Sequence, residues 1–519
     1  MPHPDFIFLG TRFVQTTPKY FRMKLLGLVV LGIYLASTTW LLITAFAQLH
    51  LLYLAKKQKS LLRKTINVLP FVTIQLPVYN EKYVIDDLLH SISQLDYPKH
   101  LFEIQILDDS TDETSAIIDQ ISSRLKSEGY DLSVLRRTDR KEFKAGALQH
   151  GLQYAKGDLI AIFDADFRPA PNFLKEMTPH FQHAKVGLVQ AKWGHLNKEQ
   201  NFLTRIQTYL LDMHFLVEQA GRYNADYFIN FCGTAGIWRR QCIVDAGGWD
   251  GKVLSEDLDL SYRAQLKGWK IVYDKTVEVK AQLPSVIEAF KIQQFRWTKG
   301  MAQTAKKTLH AVWHMQLPPL KKMHSMFHLL GSFTFVCLFI NALLTVPLLL
   351  LRNYYSGFVQ LTNYTAIGVL NLGALAYLYY KSCTTEQKSI GKFLLNYPLF
   401  MVVYLAMSIQ NTIAVLQGVF GMRTPFVRTP KFNDNKQADN SYVNKKKSWL
   451  NYLELGLLVY FIAGIGLSLW LKDYFMIMFF LMISTGLSIL LYHSFSVSKW
   501  KDLFNLQLQF KSATVKLIK

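Results

Sequence analysis

Leu159-Ile160-Ala161-Ile162-Phe163-Asp164-Ala165-Asp166-Phe167 is a short apolar run that ends on two carboxylates one residue apart. A run of this length and composition reads as a buried strand. Similar β-rich runs, 71–76, 103–107, 132–135 and 186–191, alternate with amphipathic stretches between about residues 66 and 281. Such alternation predicts an α/β domain with a parallel sheet. In that architecture ligands bind beyond the carboxyl ends of the strands. Asp108-Asp109 after one strand and Asp164-Ala165-Asp166 after another therefore share one crevice. Alternate carboxylates at a strand end can reach a Mg2+ or Mn2+ that also binds phosphate oxygens. Asp-x-Asp alone says little, because a solvated loop or a helix cap before Pro169 accounts for it equally well.

Outward from this domain the chain is built for a bilayer. Of its 519 residues 50% are hydrophobic, more than a soluble enzyme of this size needs. The 58 Lys and Arg against 37 Asp and Glu give a net charge of +21, which raises nucleic acid or anionic lipid as partners. Location decides between them. Lys56, Lys57, Lys59, Arg63 and Lys64, and Lys445 to Lys447, flank apolar runs, where the positive-inside rule explains them. A basic stripe interleaved with aromatics is missing, so nucleic acid is excluded as a partner. The cysteines Cys232, Cys242, Cys337 and Cys383 are scattered and form no CxxC pair, which reads as reduced thiols.

The first apolar run, 25–47, is too long for a signal-peptide core and precedes a basic cluster, so it reads as a retained span. The expected order is an N-terminal segment 1–24, a membrane helix in 25–54, the α/β domain 66–281 and an amphipathic interfacial region 286–320. Two spans within 326–380, an interfacial helix 394–420, a basic cytoplasmic loop 421–447, two spans within 449–492 and a basic tail 493–519 follow. The 394–420 stretch is placed in the interface for two reasons. It carries Ser408, Gln410, Asn411, Thr412 and Gln417, and making it cross would put the basic loop 421–447 outside. Glu454, near a span end, is expected at the headgroups. His90, His150 and His214 are read as helix-surface or core residues without chemistry.

Further motifs fall at the spacing of successive βα units. Pro77-Val78-Tyr79-Asn80-Glu81 closes the first strand, Asp108-Asp109-Ser110-Thr111-Asp112 follows the second, and Lys144-Ala145-Gly146-Ala147-Leu148 precedes Asp-x-Asp. Ser255-Glu256-Asp257 and Gln293-Gln294-Phe295-Arg296-Trp297 come later. The set resembles glycosyltransferase family 2 in its membrane-bound, cellulose-synthase-like branch, whose signature is Asp, Asp-x-Asp, Thr/Ser-Glu-Asp and Gln-x-x-Arg-Trp. Gly233 to Arg239, Glu256 to Leu260 and Leu266 to Lys270 look most like the synthases of mannan, glucomannan and xyloglucan backbones. The resemblance covers about residues 70 to 310 strongly and the later helices more loosely.

What the resemblance implies is an α/β nucleotide-sugar-binding domain of the family-A glycosyltransferase fold, inserted into an α-helical transmembrane bundle. The implied activity is processive and inverting. It polymerises a β-linked, β-1,4 hexose polysaccharide from UDP-glucose or GDP-mannose with Mg2+ or Mn2+, and passes the product through the membrane. Carried over by motif, Asn80, Glu81 and Asp109 hold the base and ribose side of the donor, and Lys144, Gln293 and Arg296 the diphosphate. Asp164 and Asp166 take phosphate and metal, Asp257 is the general base, and Trp297 with Phe231-Cys232-Gly233-Thr234 meets the acceptor. Phe426, Thr429 and Lys431, in Phe-Val-Arg-Thr-Pro-Lys, resemble a gating loop, with Arg428 and Pro430 departing from the family pattern. Two alternatives stay open: transfer of one sugar to a lipid carrier, and a transporter or scaffold subunit with a degenerate domain. The catalytic domain is expected to be cytoplasmic, at a bacterial inner membrane or a Golgi-type membrane.

Overall fold

The computed structural model describes residues 18–57, 68–355, 357–383, 389–422 and 449–496. Its sheet is built from β1 (Val72–Val78), β2 (Phe102–Asp108), β3 (Leu132–Leu135), β4 (Leu159–Ile162), β5 (Phe167–Arg168), β6 (Val186–His195), β7 (Gly236–Arg239) and β8 (Lys270–Ala281). All five runs read as strands form strands. The order is β3-β2-β1-β4-β7-β6-β8-β5. β1 to β4 are parallel, as expected, but β7 is antiparallel between β4 and β6, so the sheet is mixed.

Along β1, Val72, Ile74 and Leu76 enter one apolar core with Leu88 and Ile118 of the covering helices. The alternate residues Thr73 and Gln75 are buried on the other face, where they donate to Glu103 (2.6 Å) and Gln105 (3.0 Å) of β2. A strand covered by helices on both sides has this character. Strand order reverses between β1 and β4, which opens a crevice past their carboxyl ends.

Among the described residues, five helices are long and apolar enough to cross a bilayer: Phe21–Ala55, Phe333–Tyr354, Ile390–Val419, Trp449–Leu471 and Ile477–Phe495. Length alone therefore counts 390–419 and leaves out 359–380, which forms three consecutive pieces, Gly357–Asn363, Tyr364–Ala366 and Ile367–Ser382. Contacts divide them differently. Arg352 Nε and Asn353 Nδ2 lie 3.0 and 2.9 Å from Asp473, and Arg352 also donates to Asn363 at 2.7 Å, so three helices and the broken one meet at a common polar end. Their opposite ends meet the α/β domain and its following helix, through Lys291 with Glu454 and Phe202 with His493. The Ile390–Val419 helix instead touches that side at both ends, with Phe393 packed on Tyr209 and the Val419 carbonyl bonded to Lys306.

The polar residues of that helix nevertheless do not face headgroups. Ser408, Gln410, Asn411 and Thr412 are buried; Gln410 donates to the Lys291 carbonyl (2.9 Å) and Thr412 to the Phe335 carbonyl (3.0 Å). The amphipathic helix Ile287–His314 departs from expectation in the same way. Lys299 is buried, donating to Gln417 (3.2 Å) and the Met422 carbonyl (2.7 Å). Lys291 makes a buried pair with Glu454 at 2.7 and 2.9 Å, so Glu454 faces protein rather than lipid headgroups.

Candidate active site

The crevice holds a cavity of about 210 Å³ whose walls come from the ends of β1, β2 and β4 and from later segments that include 193–195, 232–233, 254–257, 281–284 and 293–297. At the end of β1 the chain turns through Asn80, whose φ of 56° is a left-handed conformation that Asn tolerates. Asn80 accepts from the Thr111 N–H (2.8 Å) and donates its own N–H to Ser110 (3.0 Å), clipping the β1 loop to the β2 loop. It is not in the cavity wall, whereas Glu81 and Tyr79 are. At the end of β2, Asp108 is buried and accepts from the Ser110 N–H, Ser115 Oγ and Arg136 Nε at 2.8 to 3.0 Å. Asp109 reaches the cavity, its two oxygens held by a forked pair with Arg137. Arg140 stacks over the Tyr79 ring at 3.1 Å, which adds a planar face to this end of the cavity.

The β4 end carries the acidic pair. The Asp164 N–H donates to Thr234 Oγ1 at 2.9 Å, and its carboxylate meets the Lys144 ammonium. Lys144 also donates to the Gly233 carbonyl at 2.8 Å. Burial lowers the Lys144 pKa, but Asp164, Glu256 and Asp257 around it prevail and raise it. Asp166 is buried beside Asp164. Among the described residues no three His, Cys, Asp or Glu converge. Two hard carboxylates fit a Mg2+ or Mn2+ that takes its other ligands from phosphate and water.

Asp257 stands in the first turn of the helix Glu256–Leu266, where Oδ1 accepts the Leu258 N–H at 2.8 Å. Burial, then the adjacent Glu256 carboxylate, push its pKa up to about 7, against the Leu258 N–H and Lys144. Burial likewise raises Glu256. Such a carboxyl is tuned to accept a proton near neutral pH. Gly233 faces it with φ +83°; a Cβ there would sit 3.2 Å from Asp257 Oδ2. Gln293, Arg296 and Trp297, spaced three and four apart, occupy one face of the helix Ile287–His314 and close the cavity. Gly300 permits that closure, since a Cβ would lie 2.1 Å from Ser255 Oγ.

The Phe231-to-Thr234 loop divides. Cys232 and Gly233 line the cavity. Phe231 is fully buried between Trp238 and Trp249, and Thr234 is buried holding the Asp164 backbone, so neither lines the cavity. Phe231→Ala is expected to cost about 3–5 kcal/mol of stability. A fall in the unfolding temperature of the purified protein would register it; a rise in acceptor KM with unchanged unfolding would mark a wall residue instead. Phe426, Thr429 and Lys431 lie outside the described residues.

A second cavity, about 370 Å³, shares Trp193, Cys232, Ser255, Asp257 and Trp297 with the first and continues among the membrane helices to Leu41, Leu338 and Asn371. His214, expected to be bland, lines it. It lies in a π-helical turn, Met213–Gln219, that presents His214 and Glu218 together, 2.9 Å apart. Arg137, Arg140 and Trp193 also went unread in the sequence. They lie outside the motifs; the Tyr79 to Arg140 stack and the Arg137 pair with Asp109 reveal the two arginines, and Trp193 lines both cavities.

Residues 70–300 match the family model described as glycosyltransferase like family 2. The chain is 34% identical over 438 residues to glucomannan 4-beta-mannosyltransferase 1 of Oryza sativa subsp. japonica, covering 79% of this chain and 80% of that one. It is 38% identical over 293 residues to glucomannan 4-beta-mannosyltransferase 9 of Arabidopsis thaliana, covering 54% and 55%. The mannosyltransferase PcManGT from Pyrobaculum calidifontis, solved with GDP-Man and Mn2+, shares the fold at TM-score 0.56 and 18% identity, over 76% of this chain and 100% of that one. The chain thus belongs to glycosyltransferase family 2, as a hexosyltransferase related to the cellulose-synthase-like glucomannan mannosyltransferases and carrying helices long and apolar enough to cross a membrane.

Proposed function

We propose that the protein transfers mannosyl units from GDP-mannose to the end of a β-1,4-linked chain and passes that chain through its membrane helices. The observation that carries this reading is the meeting of two cavities at Asp257 and Trp297, one among charged groups suited to a sugar diphosphate, the other running into the bundle. Tyr79, Arg140, Glu81 and Asp109 form the base and ribose end of the first; Lys144, Gln293 and Arg296 hold the diphosphate. Asp164 and Asp166 would hold a Mg2+ or Mn2+, whose charge offsets that of the leaving diphosphate. Asp257 takes the acceptor hydroxyl proton as that oxygen attacks the anomeric carbon from the face opposite the diphosphate, so one displacement inverts the centre. Trp297 offers its ring to the acceptor sugar.

Mannose is favoured over glucose because the relatives carry mannosyltransferase names and PcManGT was solved with GDP-Man. The cavity within the bundle favours polymerisation over transfer of one sugar to a lipid carrier. With 357–382 crossing as a broken helix and 390–419 lying along the domain, the number of crossings and the positive-inside rule support a cytoplasmic transferase domain. The plant origin of the relatives favours a Golgi-type membrane over a bacterial inner membrane.

Purified protein given a panel of GDP and UDP sugars tests the reading. GDP-mannose with Mg2+ or Mn2+ should support a polymer whose linkage analysis yields 4-linked mannose. Incorporation from UDP-glucose alone, or addition of a single sugar per acceptor, would overturn it.

A further inference from the structure

The helix Ile287–His314 has two sides with different tasks. Gln293, Arg296 and Trp297 close the donor cavity, and at 3.6 residues per turn Lys291 falls on the side opposite them. Around Lys291 on that side Ile287, Gln294 and Thr298 are all buried, and Ile287 and Phe290 enter the apolar core formed by the membrane helices. There Lys291 meets Glu454 of the span Trp449–Leu471, its ammonium 2.7 and 2.9 Å from the two carboxylate oxygens. Only 9% of the Lys291 side chain and none of the Glu454 side chain is exposed. The Lys291 carbonyl accepts from Gln410 at 2.9 Å, so two further helices hold this one residue.

An ion pair taken out of water recovers in attraction little more than it loses in hydration, and two apolar side chains of similar bulk often stabilise such a site as well or better. Anchorage alone therefore does not explain Lys291 and Glu454. What the pair adds is direction. The apolar contacts of Ile287 and Phe290 are non-directional and tolerate rotation of the helix about its axis. An ammonium seated between two carboxylate oxygens fixes that angle. With side chains reaching ~6 Å from the axis, a rotation of about 10° displaces the cavity-facing groups by about 1 Å. A misplacement of that size costs about 10²-fold in rate.

We propose that Lys291 and Glu454 are a positioning pair for the transfer step: they set the rotation of the helix Ile287–His314 about its axis and so hold Gln293 and Arg296 against the leaving diphosphate. The pair's role rests on the assignment of those two residues to the diphosphate. It makes the span Trp449–Leu471 part of the active-site frame, although none of its residues lines the donor cavity. The diphosphate gains charge as its bond to the anomeric carbon breaks, so lost alignment falls on kcat more than on donor KM.

The test uses the full chain in lipid nanodiscs, with whichever nucleotide sugar supports most incorporation as donor. Lys291→Met combined with Glu454→Leu removes both charges and keeps the bulk. This double variant should unfold at or above the wild-type temperature, keep donor KM within about three-fold of wild type and lose about ten- to hundred-fold in kcat. Glu454→Asp keeps both charges and shortens the reach by one methylene. It should lower kcat about five-fold with KM again unmoved, and it decides alone if the double variant does not fold. Wild-type kcat in the folded double variant, or in Glu454→Asp, overturns the proposal and leaves the pair an anchor. A raised donor KM with unchanged kcat overturns it as well. Arg296→Met checks the assignment beneath: if its kcat equals that of the wild type, the diphosphate reading fails first, and the pair's role falls with it.

Discussion

Asp257→Asn is expected to lower sugar incorporation by about 10²–10⁴-fold, the usual contribution of a general base, while nucleotide-sugar binding stays close to wild type. Asparagine keeps the shape of the side chain and can still accept the Leu258 N–H that now bonds Oδ1 at 2.8 Å. What it loses is the capacity to take a proton. The groups assigned to the donor, Asp109, Lys144 and Asp164, hold one another or Arg137 and none bonds Asp257, so donor affinity should survive. A purely local role would give the opposite result, because Asn caps a helix start as well as Asp does. Incorporation of radiolabelled sugar, beside calorimetric titration of donor, separates the two. Near-normal incorporation would remove Asp257 from the chemistry.

The parts of this site legible in the sequence are those fixed by local period. A strand that ends on carboxylates aims them into the crevice, and three-four spacing puts Gln293, Arg296 and Trp297 on one helix face wherever that helix lies. Sequence could not show what each residue in a motif faces. Asn80 and Thr234 sit inside motifs that read as binding loops, yet their side chains hold neighbouring backbone, while Phe231 fills a core formed with Trp238 and Trp249. A motif records that a loop must keep its shape and does not distinguish the wall of a cavity from its scaffold.

The misread polar residues have a different origin. Lys291 and Glu454 are 163 positions apart, so neither announces the other, and each taken singly looks like a headgroup contact. The same holds for Gln410 and Thr412, whose polarity is satisfied by carbonyls of Lys291 and Phe335. Hydropathy weighs residues one at a time, and a buried pair between distant helices has no local signature. The antiparallel direction of β7, Gly236 to Arg239, has the same origin: it is set by pairing with the distant strands β4 and β6 and leaves no local signature.

Lys144→Met is expected to reduce activity at pH 7 by about 10²–10³-fold through loss of a cation at the diphosphate, and also to move the pH profile. Lys144 lies among Asp164, Glu256 and Asp257 and is one of the influences that hold the Asp257 pKa down to about 7. Without the ammonium, burial and Glu256 act on Asp257 with less opposition, and its pKa rises. A general base works when ionised, so kcat/KM falls as pH drops through that pKa. A raised pKa therefore carries the rising limb to higher pH, with about five-fold lost at pH 7 for the first unit of movement and about ten-fold for each further unit. Raising the pH should recover this second loss and leave the first. Lys144→Arg keeps the charge but not the compact contact with the Gly233 carbonyl; it should lower kcat with the limb near its wild-type position. If the Lys144→Met profile rises at the same pH as wild type, Lys144 serves the diphosphate alone, and the opposition to burial and Glu256 at Asp257 comes from the Leu258 N–H.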